Sequence, residues 1–138
     1  MVFIICIATM FAFGGHAYAW GPKGHDIIAY IAECNLKPKA KRAVTHALQG
    51  NSMMYYSSWL DNVRDLPEYK HTKTWPYANV DEGHTYETMP KEANGDIITA
   101  LTFVIDELQN KRNTLTRQQE LDYVRFLVHL IGDLHCPM

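Results

Sequence analysis

The segment from Gln118 to about His135 constrains this chain most. Leu121, Val124, Leu127, Val128, Ile131 and Leu134 recur at helical spacing, and Phe126 and Leu130 leave little of the remaining circumference polar. A helix apolar nearly all round belongs inside a protein. Thr116 and Gln119 place a capping-box signature at its start. Upstream, Ile27, Ile28, Ile31 and Ala32 make one apolar stripe; Ala40, Val44, Ala47 and Leu48 make another, opened by Pro38 and closed by Gly50. The pattern predicts a third helix over Ser57 to Leu66, stopped by Pro67. Residues 67–95 hold three of the six prolines and little periodicity, which predicts a long structured loop. Ile97, Ile98, Leu101, Val104, Ile105 and Leu108 predict a further helix, with Glu107 and Lys111 paired one turn apart on its outer face. With no convincing strand run, the fold class is all-α.

The chain begins with an apolar run, Val2 to Phe13, and a small-x-small triplet, Ala17-Tyr18-Ala19. No basic residue precedes the run, and at twelve residues it is too short to span a bilayer, which takes about 20. The pattern predicts a signal peptide over 1–19, export to a periplasmic or extracellular space, and no membrane span. Cleavage leaves 138 − 19 = 119 residues, enough for one core. The net charge of −2 gives no sign of a nucleic-acid binder by charge alone, so affinity for phosphates has to come from local residues or bound metal. Cys34 and Cys136 survive cleavage, and their spacing leaves open whether they pair.

His129 and Asp133 share one face of the apolar helix, one turn apart. A carboxylate in such surroundings needs a partner, because desolvating it alone costs several kcal/mol. A divalent cation would satisfy both side chains; so would a mutual contact, or Arg125 one turn earlier. Processing after Ala19 would place a free α-amine on Trp20, five residues from His25, and Asp61 in Ser58-Trp59-Leu60-Asp61 adds a carboxylate at an apolar helix edge. Nitrogen and carboxylate ligands together suit zinc, with open positions for water.

Together these motifs resemble the S1/P1 nuclease family: secreted trinuclear-zinc phosphodiesterases of helical fold, related in fold to zinc-dependent phospholipase C, that cleave single-stranded DNA and RNA. The resemblance runs from Trp20 to the last residue and covers about the N-terminal half of a family domain. It implies that Trp20, through its amine and carbonyl, and His25 hold one zinc with Asp133, which bridges to a second ion held also by Asp61 and His129. Arg64 matches the arginine that contacts the scissile phosphate, where a guanidinium stabilises developing charge. Tyr77 falls where the family stacks an aromatic ring on a base, and Asn79 where a polar side chain reads the base edge; such stacking favours unpaired nucleotides.

Two departures modify the expectation. Pro76 stands where the family has a zinc-ligating histidine, leaving His71 or His84 of the same loop as substitutes. The family motif continues from Asp133 to a histidine six residues later, and the sequence runs to Met138. At most two of the three zinc sites are then partly present, and residues 20–138 read as the front part of a zinc-dependent endonuclease, inactive alone. The alternatives are a zinc-dependent phospholipase C, against which Tyr77 and Asn79 argue, and a non-catalytic exported helical module. No stable protein partner is implied. His46, Trp59 and the run Lys37 to Arg42 are most simply surface or packing residues, and His135 a helix cap.

Overall fold

The computed structural model describes residues 21–136, so the expected leader, its cleavage site and Trp20 lie outside the described residues. Six α-helices follow in order: α1 (Pro22–Asn35), α2 (Pro38–Ala47), α3 (Met53–Tyr56), α4 (Trp59–Val63), α5 (Ile97–Asn110) and α6 (Arg117–Leu134). No strand occurs among the described residues, and no helix there is long and apolar enough to cross a membrane. Prolines open α1 and α2, where the missing N–H costs no helical bond. Reciprocal capping boxes start α5 and α6, Asp96 with Thr99 and Thr116 with Gln119, each satisfying backbone donors that a helix start leaves unpaired.

The apolar helix α6 is the hub, packed by α5, α1, α2, α3 and α4. One core cluster joins α6 to α4 and α5 through Leu60, Trp75, Leu101, Val104, Phe126 and Leu130. A second joins it to α1, α2 and α3 through Ala29, Ala47, Leu48, Tyr56, Leu121 and Val124. Leu130 and Val104 have no solvent exposure, a burial worth about 1.5–3 kcal/mol for each side chain. The loop from 67 to 95 is pinned to the start of α5. Trp75 Nε1 donates to the Asn94 carbonyl, Thr74 to Gly95, and the Ile97 amide to Tyr77. Gly95 has φ +83°, and a Cβ there would stand 2.6 Å from Thr99 Oγ1, so the turn into α5 requires glycine.

Four expectations need correction. The helix predicted over Ser57 to Leu66 is two short helices broken at Ser57-Ser58, and the second ends at Val63. α1 buries His25 and Ala29, while Ile27 and Ile31 stay more than half exposed, because a helix with apolar residues on opposite sides does not declare which side packs. Ile98, Ile105 and Leu134 likewise face solvent in substantial part. Glu107 does pair with Lys111, at 2.5 Å, but its side chain is only 13% exposed rather than on an outer face.

Candidate metal centre

Three side chains converge where α1 crosses the C-terminal part of α6. His25, in the first turn of α1, and His129 and Asp133 of α6 each offer a ligand atom, all within 4.8 Å of one another. His25 Nε2 lies 3.3 Å from Asp133 Oδ1 and His129 Nε2 3.1 Å from Oδ2, so the carboxylate presents one oxygen to each ring. The imidazoles stack at 4.4 Å, tilted by 14°. Asp61 of α4 stands 3.9 Å from both Nε2 atoms. The approaches are close but not in hydrogen-bonding geometry: His129 Nε2 and Asp133 Oδ2 are buried without a hydrogen-bond partner, as is His25 Nδ1. Orphaned buried polar atoms cost about 1–3 kcal/mol each, and a shared cation would satisfy two of these three, the His129 nitrogen and the Asp133 oxygen.

Backbone and supporting side chains orient this set. His129 Nδ1 donates to the Ser57 carbonyl at 2.7 Å, which leaves the lone pair of a neutral ring on Nε2, facing Asp133. The break between α3 and α4 falls at Ser57, and its carbonyl turns to α6. The Ser57 hydroxyl donates to Asp26 Oδ1 at 2.6 Å, tying this support to the helix that carries His25. Gly132 allows the stack itself: a Cβ there would lie 2.8 Å from His25 Nδ1. Ser57 as a backbone acceptor has no sequence signature. Gly132 has one, a glycine inside an otherwise strong helix pattern.

Burial opposes charge on His129, but the neighbouring Asp133 carboxylate, the Ser57 carbonyl and Asp61 outweigh it and raise the imidazole pKa. Burial likewise opposes charge on Asp133, and His129 and His25 outweigh it, holding the carboxyl below its usual range. In the metal-free chain the raised imidazole adds stability that is complete below the unfolded value of roughly 6.5 and lost as pH climbs through the folded one. The lowered carboxyl adds stability that is complete above roughly 4 and lost as pH falls through its folded value. Thermal unfolding in chelator should therefore be latest between about pH 4 and 6.5. His129→Gln should flatten the alkaline decline, and a wild-type midpoint rising steadily to pH 8 would contradict the assignment.

The family model for S1/P1 nuclease matches residues 20–138, nearly the whole chain. The chain belongs to the S1/P1 nuclease family. Among curated relatives, nuclease S1 of Aspergillus oryzae (strain ATCC 42149 / RIB 40) is 26% identical over 95% of this chain and 47% of its own length. Nuclease P1 of Penicillium citrinum is 25% identical over 86% of the chain and 46% of its own length. Endonuclease 5 of Arabidopsis thaliana is 22% identical over 88% and 46%. The chain thus spans about half the length of the curated relatives it matches.

The structure brings His25, Asp61, His129 and Asp133 together, while Trp20 lies outside the described residues. Arg64 stands beside the cluster, its Nη1 3.4 Å from Asp61 Oδ1 and its side chain 39% exposed. Tyr77 and Asn79 are exposed on the loop before α5, and the structure gives neither a contact with the cluster. Neither His71 nor His84 joins the cluster: His71 sits edge-on to Trp75 at 5.3 Å, and His84 is exposed. Arg125 is not the partner of Asp133 either. It pairs with Asp122 and lies over the rings of Tyr56 and Trp59. Trp59 packs against Tyr69 and Phe126, and His135 Nδ1 caps α6 on the Ile131 carbonyl.

Proposed function

We propose that this chain is part of an exported zinc-dependent endonuclease that hydrolyses phosphodiester bonds of single-stranded DNA and RNA. The observation that carries this reading is the convergence of two stacked imidazoles and a carboxylate, with buried unsatisfied atoms, in a member of a nuclease family. His25, His129, Asp133 and Asp61, with the amine of Trp20, are the residues that would hold zinc. Mixed nitrogen and carboxylate sets suit this ion, which supplies activated water and Lewis-acid stabilisation of phosphoryl oxygens. Arg64 would bind a phosphate oxygen through a guanidinium whose exposed side chain is steadied by Asp61. Tyr77 would stack on an unpaired base, and Asn79 would contact its edge.

Isolated from its natural source, the protein should release acid-soluble nucleotides from denatured DNA in the presence of zinc, several-fold faster than from duplex. Hydrolysis of phosphatidylcholine instead would establish the phospholipase alternative, and zinc binding without either activity the non-catalytic one. Residues 20–138 alone offer five ligands, with Pro76 in place of a histidine, and we expect little or no turnover from them. Pro76→His should raise zinc affinity by placing an imidazole beside Tyr77; unchanged affinity would remove this loop from the centre.

The terminal amine gives a separate test. Protein processed to Trp20 should hold distinctly more zinc than protein carrying one additional N-terminal residue, because acylating the amine removes its lone pair. Equal metal content in the two forms, measured by elemental analysis, would take the amine out of the site.

A further inference from the structure

We propose that the groove between α2 and the start of α6 is a second nucleic-acid contact, seating phosphates of the substrate strand far from the metal centre. The inference rests on the nuclease reading above. The groove has a volume of about 660 Å³, and Lys41, Arg42, Thr45, His46 and Arg117 are among its lining residues. No carboxylate occurs between Glu33 and Asp61, whereas Lys37, Lys39, Lys41 and Arg42 do, so residues 34–60 carry +4 and the remaining residues −2 − 4 = −6. All of the charge in this segment is positive, and two of its four cations, Lys41 and Arg42, line the groove.

The arginines make the point residue by residue. Arg64, Arg112 and Arg125 each pair with a carboxylate, Asp61, Glu120 and Asp122 respectively. Arg117 instead lies against the His46 ring, its Nη1 2.9 and 3.2 Å from the ring nitrogens, and among the described residues Arg42 has no ion pair. The two arginines without carboxylates line one groove. Cations gathered without a counter-charge repel one another, and guanidinium forks match phosphate oxygens in pairs. No large apolar side chain lines the groove, which argues for a polyanionic strand over a membrane surface, where apolar insertion adds to charge. Arg117 precedes Asp133 by 16 positions on one helix, about 24 Å at 1.5 Å per residue. A strand covering that axial distance needs several nucleotides, within single-strand site sizes of ~4–16 nucleotides. A dinucleotide at the metal centre cannot cover it.

The test is fluorescence anisotropy of labelled dodecathymidylate and dithymidylate with the 138-residue chain in chelator, where no turnover occurs. Arg42→Gln with Arg117→Gln should weaken dodecamer binding about tenfold or more and lower the slope of log affinity against log salt by about 1.4, at ~0.7 per single-strand phosphate contact. Arg42→Lys with Arg117→Lys keeps the charge and should retain most of the slope, and dimer binding should not respond to either pair. Circular dichroism melts identify any variant that fails to fold; if the glutamine pair does, Arg42→Gln alone carries the comparison, with an expected fall in slope of about 0.7. Dodecamer affinity equal in wild type and both variants, or absent in wild type, overturns the groove. Tighter arginine-dependent binding to phosphatidylglycerol vesicles than to the dodecamer overturns the nucleic-acid occupant. A protein that hydrolyses denatured DNA but ignores both arginines loses the groove and keeps the nuclease reading. One that binds the dodecamer through them without hydrolysing it keeps the groove and loses that reading.

Discussion

Asp133→Asn should abolish the stabilisation that zinc confers on this chain. The substitution keeps shape and volume but removes the charge that faces two imidazoles at 3.3 and 3.1 Å. Losing an anionic ligand that both rings share should weaken zinc by more than the roughly 10–100-fold seen for removal of supporting partners around a metal. At free zinc about 100 times the wild-type dissociation constant, binding to the native state adds about 2.7 kcal/mol, on the order of 10 °C in melting temperature for a domain of this size. The variant should show almost none of that shift. Glu82→Gln is the control, an exposed carboxylate outside the cluster. If Asp133 served only as the ion-pair partner of His129, the substitution would lower stability equally with zinc and with chelator. That outcome would end the metal assignment.

How much of this was legible in the sequence follows from which interactions leave a pattern. Helical periodicity sufficed for α5, and periodicity with punctuation for α2 and α6, because Pro38, Gly50 and the Thr116-Gln119 pair mark ends of those two chemically. The break at Ser57-Ser58 carries no proline or glycine. It exists because Ser57 is drawn into two tertiary hydrogen bonds, to His129 through its carbonyl and to Asp26 through its hydroxyl. The wrong face chosen for α1 has a related origin: His25 is polar in a composition count but is 2% exposed, because the second imidazole gives it a surface to stack on. His129 with Asp133 was visible from the sequence since a carboxylate in an apolar helix demands an explanation. The convergence of Asp61 and His25 on that pair was not derivable from spacing, and came from family resemblance. Gly132 was not among the candidate residues; its only trace in the sequence is a glycine inside a strong helix pattern, and only the packing against His25 supplies the reason.

That packing makes Gly132→Ala the sharpest probe of how the centre is built. Two effects oppose each other. Replacing a helix-interior glycine by alanine favours the helix by about 0.8–1 kcal/mol. Against this, the new Cβ would stand 2.8 Å from Nδ1 and 3.4 Å from Cε1 of His25, a ring that is almost fully buried and braced against His129 at 4.4 Å. The ring has no free end to swing away, so α1 or the stack must shift, and overpacking of this kind costs about 1–3 kcal/mol. Overpacking should win, leaving the metal-free chain destabilised by about 1 kcal/mol. The larger effect should fall on zinc: a displaced ring moves Nε2 out of register with Asp133 Oδ1, so affinity should drop beyond what the stability change alone accounts for. The double variant isolates the cause. In a His25→Ala background the clash is gone and only the propensity gain remains, so Gly132→Ala should there be neutral or stabilising, and should leave the residual zinc affinity unchanged. Chemical denaturation in chelator reads the first quantity and cobalt absorption titration the second. Equal effects of Gly132→Ala in the two backgrounds would mean that the glycine serves helix packing alone, and that the stacked imidazoles do not depend on it.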